Sequence, residues 1–407
     1  MSRPTRLALQ AVASVCSFAG LAFAQPEYDF ILVNSFNANP LAGEAYVWDI
    51  NDHGVACGQA TMDNVIGYPG FAWDEAGGKA RVPVASPRSL NNHGLVVGIG
   101  DIYELGTGRT FSPPNLPETY YSPSFGGVND AGVAVGLIST TSGSNSGGIL
   151  QIPYVWDAVN GARTVAVPGA KGLARINNVG VAIGWTGGVS SLDGFFINLD
   201  TGAFTMLGSI FPPDLGSGPT RAFDINDSGA IVGTRYGTSP VSLYGYVYSP
   251  GAGLRILPFP GAGYQQFVRP LGINNGGTVV GDISTVQASQ RAFVYSDTAG
   301  IRDLNDATLV DGMPTGYRLD SAQKVNNLGW IAGFGHTAAG KVTGWVLKPR
   351  AGGCPADFNR DGQADFFDYL DFAAAFDAED PSADFSGDSQ VDFFDYLDFV
   401  QAFDAGC

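Results

Sequence analysis

An all-β domain, a seven-bladed β-propeller-like repeat, followed by a small all-α module of two loop-helix units is the fold class this sequence predicts, and three observations predict it. An apolar residue, Asn, then Asp or Asn, any residue, Gly and an apolar run closing on Gly recurs seven times. A short strand carrying an aromatic and ending in Asp or Ser before a Gly-rich turn follows most copies. The last fifty-odd residues write one acidic twelve-residue loop twice.

In chain order, Arg3 and Arg6, the apolar run from Leu7 to Ala22, and Ala22-Phe23-Ala24 before Gln25 read as a secretory signal peptide over 1–24, with an uncleaved anchor as the alternative. No later run of about 20 apolar residues exists to span a bilayer, so the mature chain is expected outside the cytoplasm without a membrane span. Tyr28 to Val33 is a β-rich strand with no sequence neighbour to pair with.

The repeated phrase falls at Asn51, Asn91, Asn129, Asn177, Asn226, Asn274 and Asn326, spaced by roughly 40 to 50 residues, the range of propeller blades. Asn or Asp closes an Asx-turn and the Gly three residues on accepts a left-handed backbone, so the phrase is a hairpin turn. The strand after it is apolar and β-branched, as in Leu95-Val96-Val97-Gly98. Seven near-copies read as seven turns rather than seven active sites.

The aromatic phrase, as in Gly70-Phe71-Ala72-Trp73-Asp74 and Ala292-Phe293-Val294-Tyr295-Ser296, gives a third strand, and stretches such as Gly253 to Leu257 a fourth. Blade two is short, because Ile102 to Pro113 leaves little room. The seventh repeat ends at Trp345-Val346-Leu347 without a final strand, and Tyr28 to Val33 is expected to complete it and close the ring formed by residues 25–350. A linear array of β-sandwich units is the alternative.

The net charge of −17 is unevenly spread: residues 354–407 hold 14 Asp and Glu against Arg360 alone, which is 13 of the 17 negative charges. The body is therefore only mildly acidic, with neither a basic patch for nucleic acid nor a polybasic membrane signal. Cys16 belongs to the signal peptide, and Cys354 and Cys407 bracket the terminal module as a covalent clasp would. Cys57, in the apolar Val55-Ala56-Cys57, reads as a buried thiol.

In the terminal module Asp357, Asn359, Asp361, Gly362, Gln363, Asp365 and Asp368 stand at positions 1, 3, 5, 6, 7, 9 and 12 of an EF-hand-type calcium loop. Asp384, Ser386, Asp388, Gln390, Asp392 and Asp395 repeat the pattern 27 residues later. A hard cation takes six to eight oxygens, and four carboxylates in twelve residues repel one another without one, so two calcium ions are the expected cofactors. Position 6 is Gly362 in the first loop and Ser389 in the second, which makes the second site the weaker. Helices are expected from Phe366 to Phe376 and from Phe393 to Phe403, burying Leu370, Phe372, Leu397 and Phe399 against one another.

These duplicated units resemble a type I dockerin, the calcium-dependent module that docks onto cohesin domains, and Gly353-Cys354 and Gly406-Cys407 further resemble its bacterial GC-type variety. The resemblance implies a cohesin-like or other surface-protein partner, with recognition at loop positions 10 and 11, here Phe366, Phe367, Phe393 and Phe394. Residues 45 to 347 resemble bacterial HAF-repeat extracellular proteins through the Asn-Asp-x-Gly phrase and Arg291-Ala292-Phe293, a family that brings no catalytic residues to carry over.

No G-x-S-x-G elbow, HExxH helix, P-loop or dinucleotide fingerprint appears. His53 and His93 share a turn position in adjacent repeats, where a two-His metal site competes with plain polar turn residues, and His336 is expected at the opposite end. Asp63, Glu104, Asp193 and Asp214 lie in loops without forming a distinctive pair, and Tyr68, Tyr120, Tyr121, Tyr236 and Tyr264 are candidates for stacking on sugar rings of a glycan ligand. The expected function is a secreted, non-catalytic binding or display protein attached through the calcium module. The alternative is an enzyme of polysaccharide degradation, a glycoside hydrolase or lyase borne by the same module. Clustered carboxylates in the propeller channel favour the enzyme, whereas an aromatic loop face without them favours binding.

Overall fold

Asn-led turns recurring at a constant place in each repeat bring seven inner strands side by side. The computed structural model describes residues 27–39, 43–114, 122–141, 149–187, 193–212, 218–237, 243–287, 289–350, 356–358, 364–378, 380–385 and 390–405. The inner strands are Ala45–Ile50, Ala85–Leu90, Ser124–Val128, Ala170–Ile176, Thr220–Ile225, Tyr264–Ile273 and Arg318–Val325, and each pairs antiparallel with the strand that follows its turn. Two further strands complete each of the first six blades; blade two keeps only the three-residue strands Ile102–Glu104 and Arg109–Phe111 on its outside. The arrangement is propeller-like.

Tyr28–Val33 pairs antiparallel along its whole length with Val342–Pro349, so the first strand of the domain is the outer strand of the last blade, as the missing strand in the seventh repeat predicts. Lys79 secures the joint by donating from Nζ to the carbonyls of Asn34 and Ser35 (2.8 Å to the latter), with Phe36 beneath it at 4.4 Å. Burial there pushes the Lys79 ammonium down to about 8.

The asparagines do more than turn the chain. Asn51 Oδ1 accepts the N–H groups of His53 and Val55 (3.1 and 2.9 Å), while its Nδ2 donates to the main-chain carbonyl of Asn91 at 3.0 Å. The same inter-blade bond repeats from Asn91, Asn129, Asn177, Asn226 and Asn274, and Asn326 returns to Asn51 at 2.8 Å, closing the circle. The next residue makes a second circle: each backbone N–H donates to the side-chain Oδ1 of its counterpart one blade on, from Asp52 to Asn92 (2.9 Å) and finally from Asn327 to Asp52 (2.8 Å).

Seven apolar clusters fill the seven contacts between neighbouring blades. The aromatic of the third strand is the large side chain in most of them: Phe71, Tyr154, Phe195, Tyr246, Phe293 and Trp345 are all fully buried. The Gly that closes the repeated phrase is demanded by backbone approach, since a Cβ on Gly233 would stand 1.9 Å from the carbonyl of Arg221 and one on Gly281 2.0 Å from that of Arg269. Cys57 is buried and free, and burial pushes its thiol well above the ordinary value.

The terminal module has helices α1, Phe366–Asp377, and α2, Phe393–Ala405. Phe372 and Phe399 stack face to face, centroids 4.0 Å apart, and the hydroxyls of Tyr369 and Tyr396 meet at 3.0 Å. The expected burial of Leu370 and Leu397 is corrected: both are 45% exposed. The inward stripe runs through Tyr369, Phe372 and Phe376, at helical spacings of three and four, and Leu370 falls beside it. Cys354 and Cys407 lie outside the described residues.

Candidate active site at the channel mouth

Each inner strand departs from regular pairing three residues before its asparagine. Register shifts bracket Trp48, Gly126, Ala174, Phe223, Leu271 and Gln323 at this place, and a wider one spans Arg88. A bulge breaks the two-residue alternation, so the side chains at both the third and second positions before the asparagine reach the central channel. The second position holds Asp49, Ser89, Gly127, Arg175, Asp224 and Lys324 along the channel wall.

Charge therefore enters the channel in opposed pairs. Asp224 is 1% exposed and accepts from Lys324 Nζ at 2.5 Å and from the Ile273 N–H at 3.0 Å. Asp49, 3% exposed, accepts from the Leu90 N–H at 3.3 Å with the Arg175 guanidinium 3.8 Å away. These two carboxylates are each tied to a cation and to the next blade's backbone, which braces the ring.

At the mouth away from the asparagines, blades seven and one converge. His336 ends its strand, half-exposed at 36%, with Nδ1 on Asp320 Oδ2. Asp320 is 4% exposed and also takes the Arg318 Nε–H. A carboxylate only accepts, so Nδ1 carries the proton and Nε2 is the ring atom with its lone pair available. Two residues earlier on the same strand face, about 7 Å away, Phe334 packs edge-on against Tyr46 (5.3 Å) and Trp48 (5.4 Å). Tyr46 stacks on Trp48 at 5.6 Å and meets Tyr68 at 5.9 Å, and the Arg88 guanidinium lies 4.6 Å over the Trp48 ring. An oriented imidazole thus stands beside an aromatic surface.

Behind it, Asp282 is fully buried, bonded by Arg269 Nε at 2.9 Å and Ser321 Oγ at 2.9 Å, and Gln323 Nε2 donates to that Ser321 oxygen at 2.7 Å. Burial pushes the Asp282 carboxyl above its ordinary value in spite of these donors.

The sequence candidates fall as follows. His53 and His93 sit in turns at the asparagine end and His336 at the other, as expected. Asp63 caps the Asn37 and Ala38 loop, whose N–H groups hold its carboxyl below the ordinary value. The Glu104 carboxylate accepts from the Thr107 hydroxyl, and Asp193 holds Gly208 N–H at 3.1 Å and the Thr220 hydroxyl. The structure brings none of these together, and Asp214, Tyr120 and Tyr121 lie outside the described residues. Tyr68 joins the aromatic surface, its hydroxyl pushed up to about 12 by a 2.6 Å bond to Glu44. Tyr264 is engaged with Asp303 at 2.7 Å, and Tyr236 is 38% exposed at the end of its strand. The pairing of His336 with Asp320 escaped sequence reasoning; the signal available was the residue types at the ends of the seventh repeat's first two strands, which no other repeat shares.

Of the twelve loop ligands in the terminal module, Asp357, Asp365, Asp368, Asp384, Gln390, Asp392 and Asp395 are described, and Asn359, Asp361, Gln363, Ser386 and Asp388 lie outside the described residues. Asp368 and Asp395 are fully buried and Asp357 nearly so. Asp368 accepts the Asp365 N–H (2.8 Å) and Asp395 the Asp392 N–H (2.7 Å), which turns each last ligand back over its loop. Buried carboxylates at both ends of a loop fit a hard cation. Among the described residues no group of three or more His, Cys, Asp or Glu converges for a metal, and no helix is long and apolar enough to cross a membrane. Phe366, Phe367, Phe393 and Phe394 are 63–68% exposed.

No family model matches the chain, and no curated protein does. Among solved structures, an oligogalacturonate lyase in complex with manganese is 11% identical, with a TM-score of 0.53 over 81% of this chain and 99% of that one. TolB from Acinetobacter baumannii (11% identity, TM-score 0.40, 76% of this chain and 64% of that one) and an acylaminoacyl peptidase from Pyrococcus horikoshii (10%, 0.49, 75% and 51%) are also similar. This chain spans less than two thirds of the length of these last two. The first likeness, at this identity, bears on the fold alone. The expectation of a non-catalytic binding or display protein is corrected here: the similar structure first named is that of a lyase, which favours the enzyme alternative, while Asp49 and Asp224, each tied to a cation and to backbone, form no carboxylate pair in the channel.

Proposed function

We propose that the chain is an enzyme of polysaccharide degradation built on the propeller, with His336 moving the proton. The observation that carries this reading is the half-exposed His336, paired with Asp320, on the strand face that carries Phe334 with Tyr46, Trp48 and Tyr68. Pyranose rings stack on such aromatic faces, and an imidazole fixed by a buried carboxylate through Nδ1 exchanges protons at Nε2. Asp49 and Asp224, tied to Arg175, Lys324 and the backbone, hold the scaffold instead of forming a hydrolytic pair. The similar oligogalacturonate lyase supports a polysaccharide substrate. A screen of plant and algal polysaccharides with the full chain is expected to yield new chain ends, and His336→Ala to lower the rate by about 10²- to 10⁴-fold at an unchanged melting temperature. No cleavage of any substrate, or cleavage unaffected by His336→Ala, overturns the assignment.

On the same reading the terminal module is a dockerin-like attachment of a secreted enzyme, folded around two calcium ions held by Asp357, Asn359, Asp361, Gln363, Asp365 and Asp368 and by Asp384, Ser386, Asp388, Gln390, Asp392 and Asp395. The ions would offset carboxylate repulsion in the two loops and do no chemistry on the substrate. The exposed Phe366, Phe367, Phe393 and Phe394 would meet a cohesin-like partner. Chelator added to the full chain is expected to abolish a separate, calcium-dependent melting step while leaving the propeller transition in place. A melting profile that ignores both chelator and added calcium sinks this part.

A further inference from the structure

In the wall of the channel above the asparagine ring, blades three and four carry only Gly126 and Ala174 where other blades carry Trp48, Arg88, Phe223, Leu271 or Gln323. The missing side chains leave a cavity of about 320 Å³, at the lower end of the roughly 300–1,000 Å³ of small-molecule sites. Its walls include Phe125, Leu173, Trp185 and Phe223, and its charged members are Arg88 and Arg175, with no carboxylate among the lining residues.

Both guanidiniums are held in place. Arg88 lies over the Trp48 ring at 4.6 Å and makes no ion pair among the described residues. Arg175 donates from Nη1 to the carbonyls of Arg88 (3.1 Å) and Gly126, and its nearest carboxylate, Asp49, is 3.8 Å away, beyond hydrogen-bond reach and engaged with backbone N–H groups. Desolvation chiefly, and the neighbouring Arg175 next, push the Arg88 guanidinium below its ordinary value. Two guanidiniums facing an open recess with aromatic walls, one of them already beside Asp49 and one without a carboxylate of its own, suit an anion with a ring attached.

We propose that this cavity is a carboxylate subsite for the uronic-acid units of an acidic polysaccharide, with the planar guanidinium forks of Arg88 and Arg175 on the carboxylate and Trp185 and Phe223 against the sugar ring. The inference rests on the enzyme reading for its substrate, and its test does not. Calorimetric titration of the full chain carrying His336→Ala, which slows turnover, uses a galacturonate trisaccharide, its methyl ester and inorganic phosphate. The free acid is expected to bind, the ester about tenfold or more weaker, and Arg88→Gln to lose the free acid by a similar factor at an unchanged melting temperature. Arg175→Lys, which keeps the charge but not the fork, is expected to fall between the two. Equal binding of acid and ester, phosphate binding as tightly as the trisaccharide, or Arg88→Gln binding like its parent each overturns the proposal. Cleavage of a neutral glycan by the unmodified protein without uronate binding would fail this inference alone, and uronate binding without cleavage of any glycan would fail the enzyme reading alone.

Discussion

The two ends of the channel are built from the same seven strand pairs and behave as opposites. At the asparagine end every blade contributes the same groups, and they bond into two closed circles. Away from that end the blades share little: His336 and Asp320 belong to blade seven, Trp48 to blade one, and Arg88 and Arg175, on the channel wall, to blades two and four. Repetition marks what the ring needs in order to close, and departure from repetition marks where chemistry is free to vary.

The sharpest way to break this contrast is to cross the two ends. Asn226 is nearly buried, donates to the Asn274 carbonyl at 2.9 Å, and accepts from Ala230 N–H at 2.9 Å and Ser228 Oγ at 2.7 Å. Asn226→Ala strands a buried carbonyl and a buried N–H, and is expected to cost about 2–4 kcal/mol of stability. Its activity per folded molecule should stay near that of the parent. Denaturant titration and turnover on the same samples decide, and a variant that keeps its stability but loses its rate reverses the roles assigned to the two ends.

A subtler test uses the parity of the ring. Asp52, Asp130 and Asp227 alternate with asparagines, so that Asn92 Nδ2 reaches Asp52 and Asp130 (2.9 and 3.1 Å) and Asn178 Nδ2 reaches Asp130 and Asp227 (3.1 and 3.2 Å). Seven places cannot alternate perfectly. The unavoidable like pair is Asn275 beside Asn327, two neutral amides that each find one carboxylate, at 3.0 Å in both cases. Asn327→Asp would replace a donor to Asp52 with a second carboxylate beside it, at an expected cost of about 1 kcal/mol near neutrality that shrinks in acid as the new group protonates. Unchanged stability at neutral pH would show that the alternation carries no energy.

Much of the asparagine end was legible in the sequence because its energetics are local: an Asx-turn, a left-handed glycine and an apolar strand all lie within about ten residues. The closing strand was legible by elimination, since the seventh repeat lacked an outer edge and Tyr28 to Val33 lacked a partner. The channel lining was not. A bulge before each asparagine shifts the strand's alternation, so a period-two reading does not bring Trp48 and Asp49 together onto the channel. The His336–Asp320 contact spans 16 residues across a hairpin and depends on a second irregularity between Leu319 and Ser321. In the terminal module the spacing set the helix bounds closely, but the choice of Phe372 over Leu370 for the core depends on how the two helices face each other.

The smallest expected effect concerns the clasp beside the asparagine end, where Arg350 joins the first and last parts of the ring. Its Nε donates to Asp29 Oδ1 at 2.7 Å on the closing strand and its Nη2 to Asp311 Oδ2, on the short strand parallel to it. The Arg350 hydrogen bond holds the Asp311 carboxyl below its ordinary 3.8, so the folded state favours the ionised form. That contribution is present above 3.8 and is lost as the pH falls through the depressed value, because below it both folded and unfolded chains carry the proton. Both groups are at the surface, where solvent screens the pair, so the loss is small. Melting curves from about pH 5 to about pH 2 should show the unmodified protein losing slightly more stability than Asp311→Asn, and at high salt the difference should vanish. Parallel curves for the two proteins would remove the Arg350–Asp311 bond from the closure and leave Arg350 only its bond to Asp29 beside the strand pairing of Tyr28–Val33.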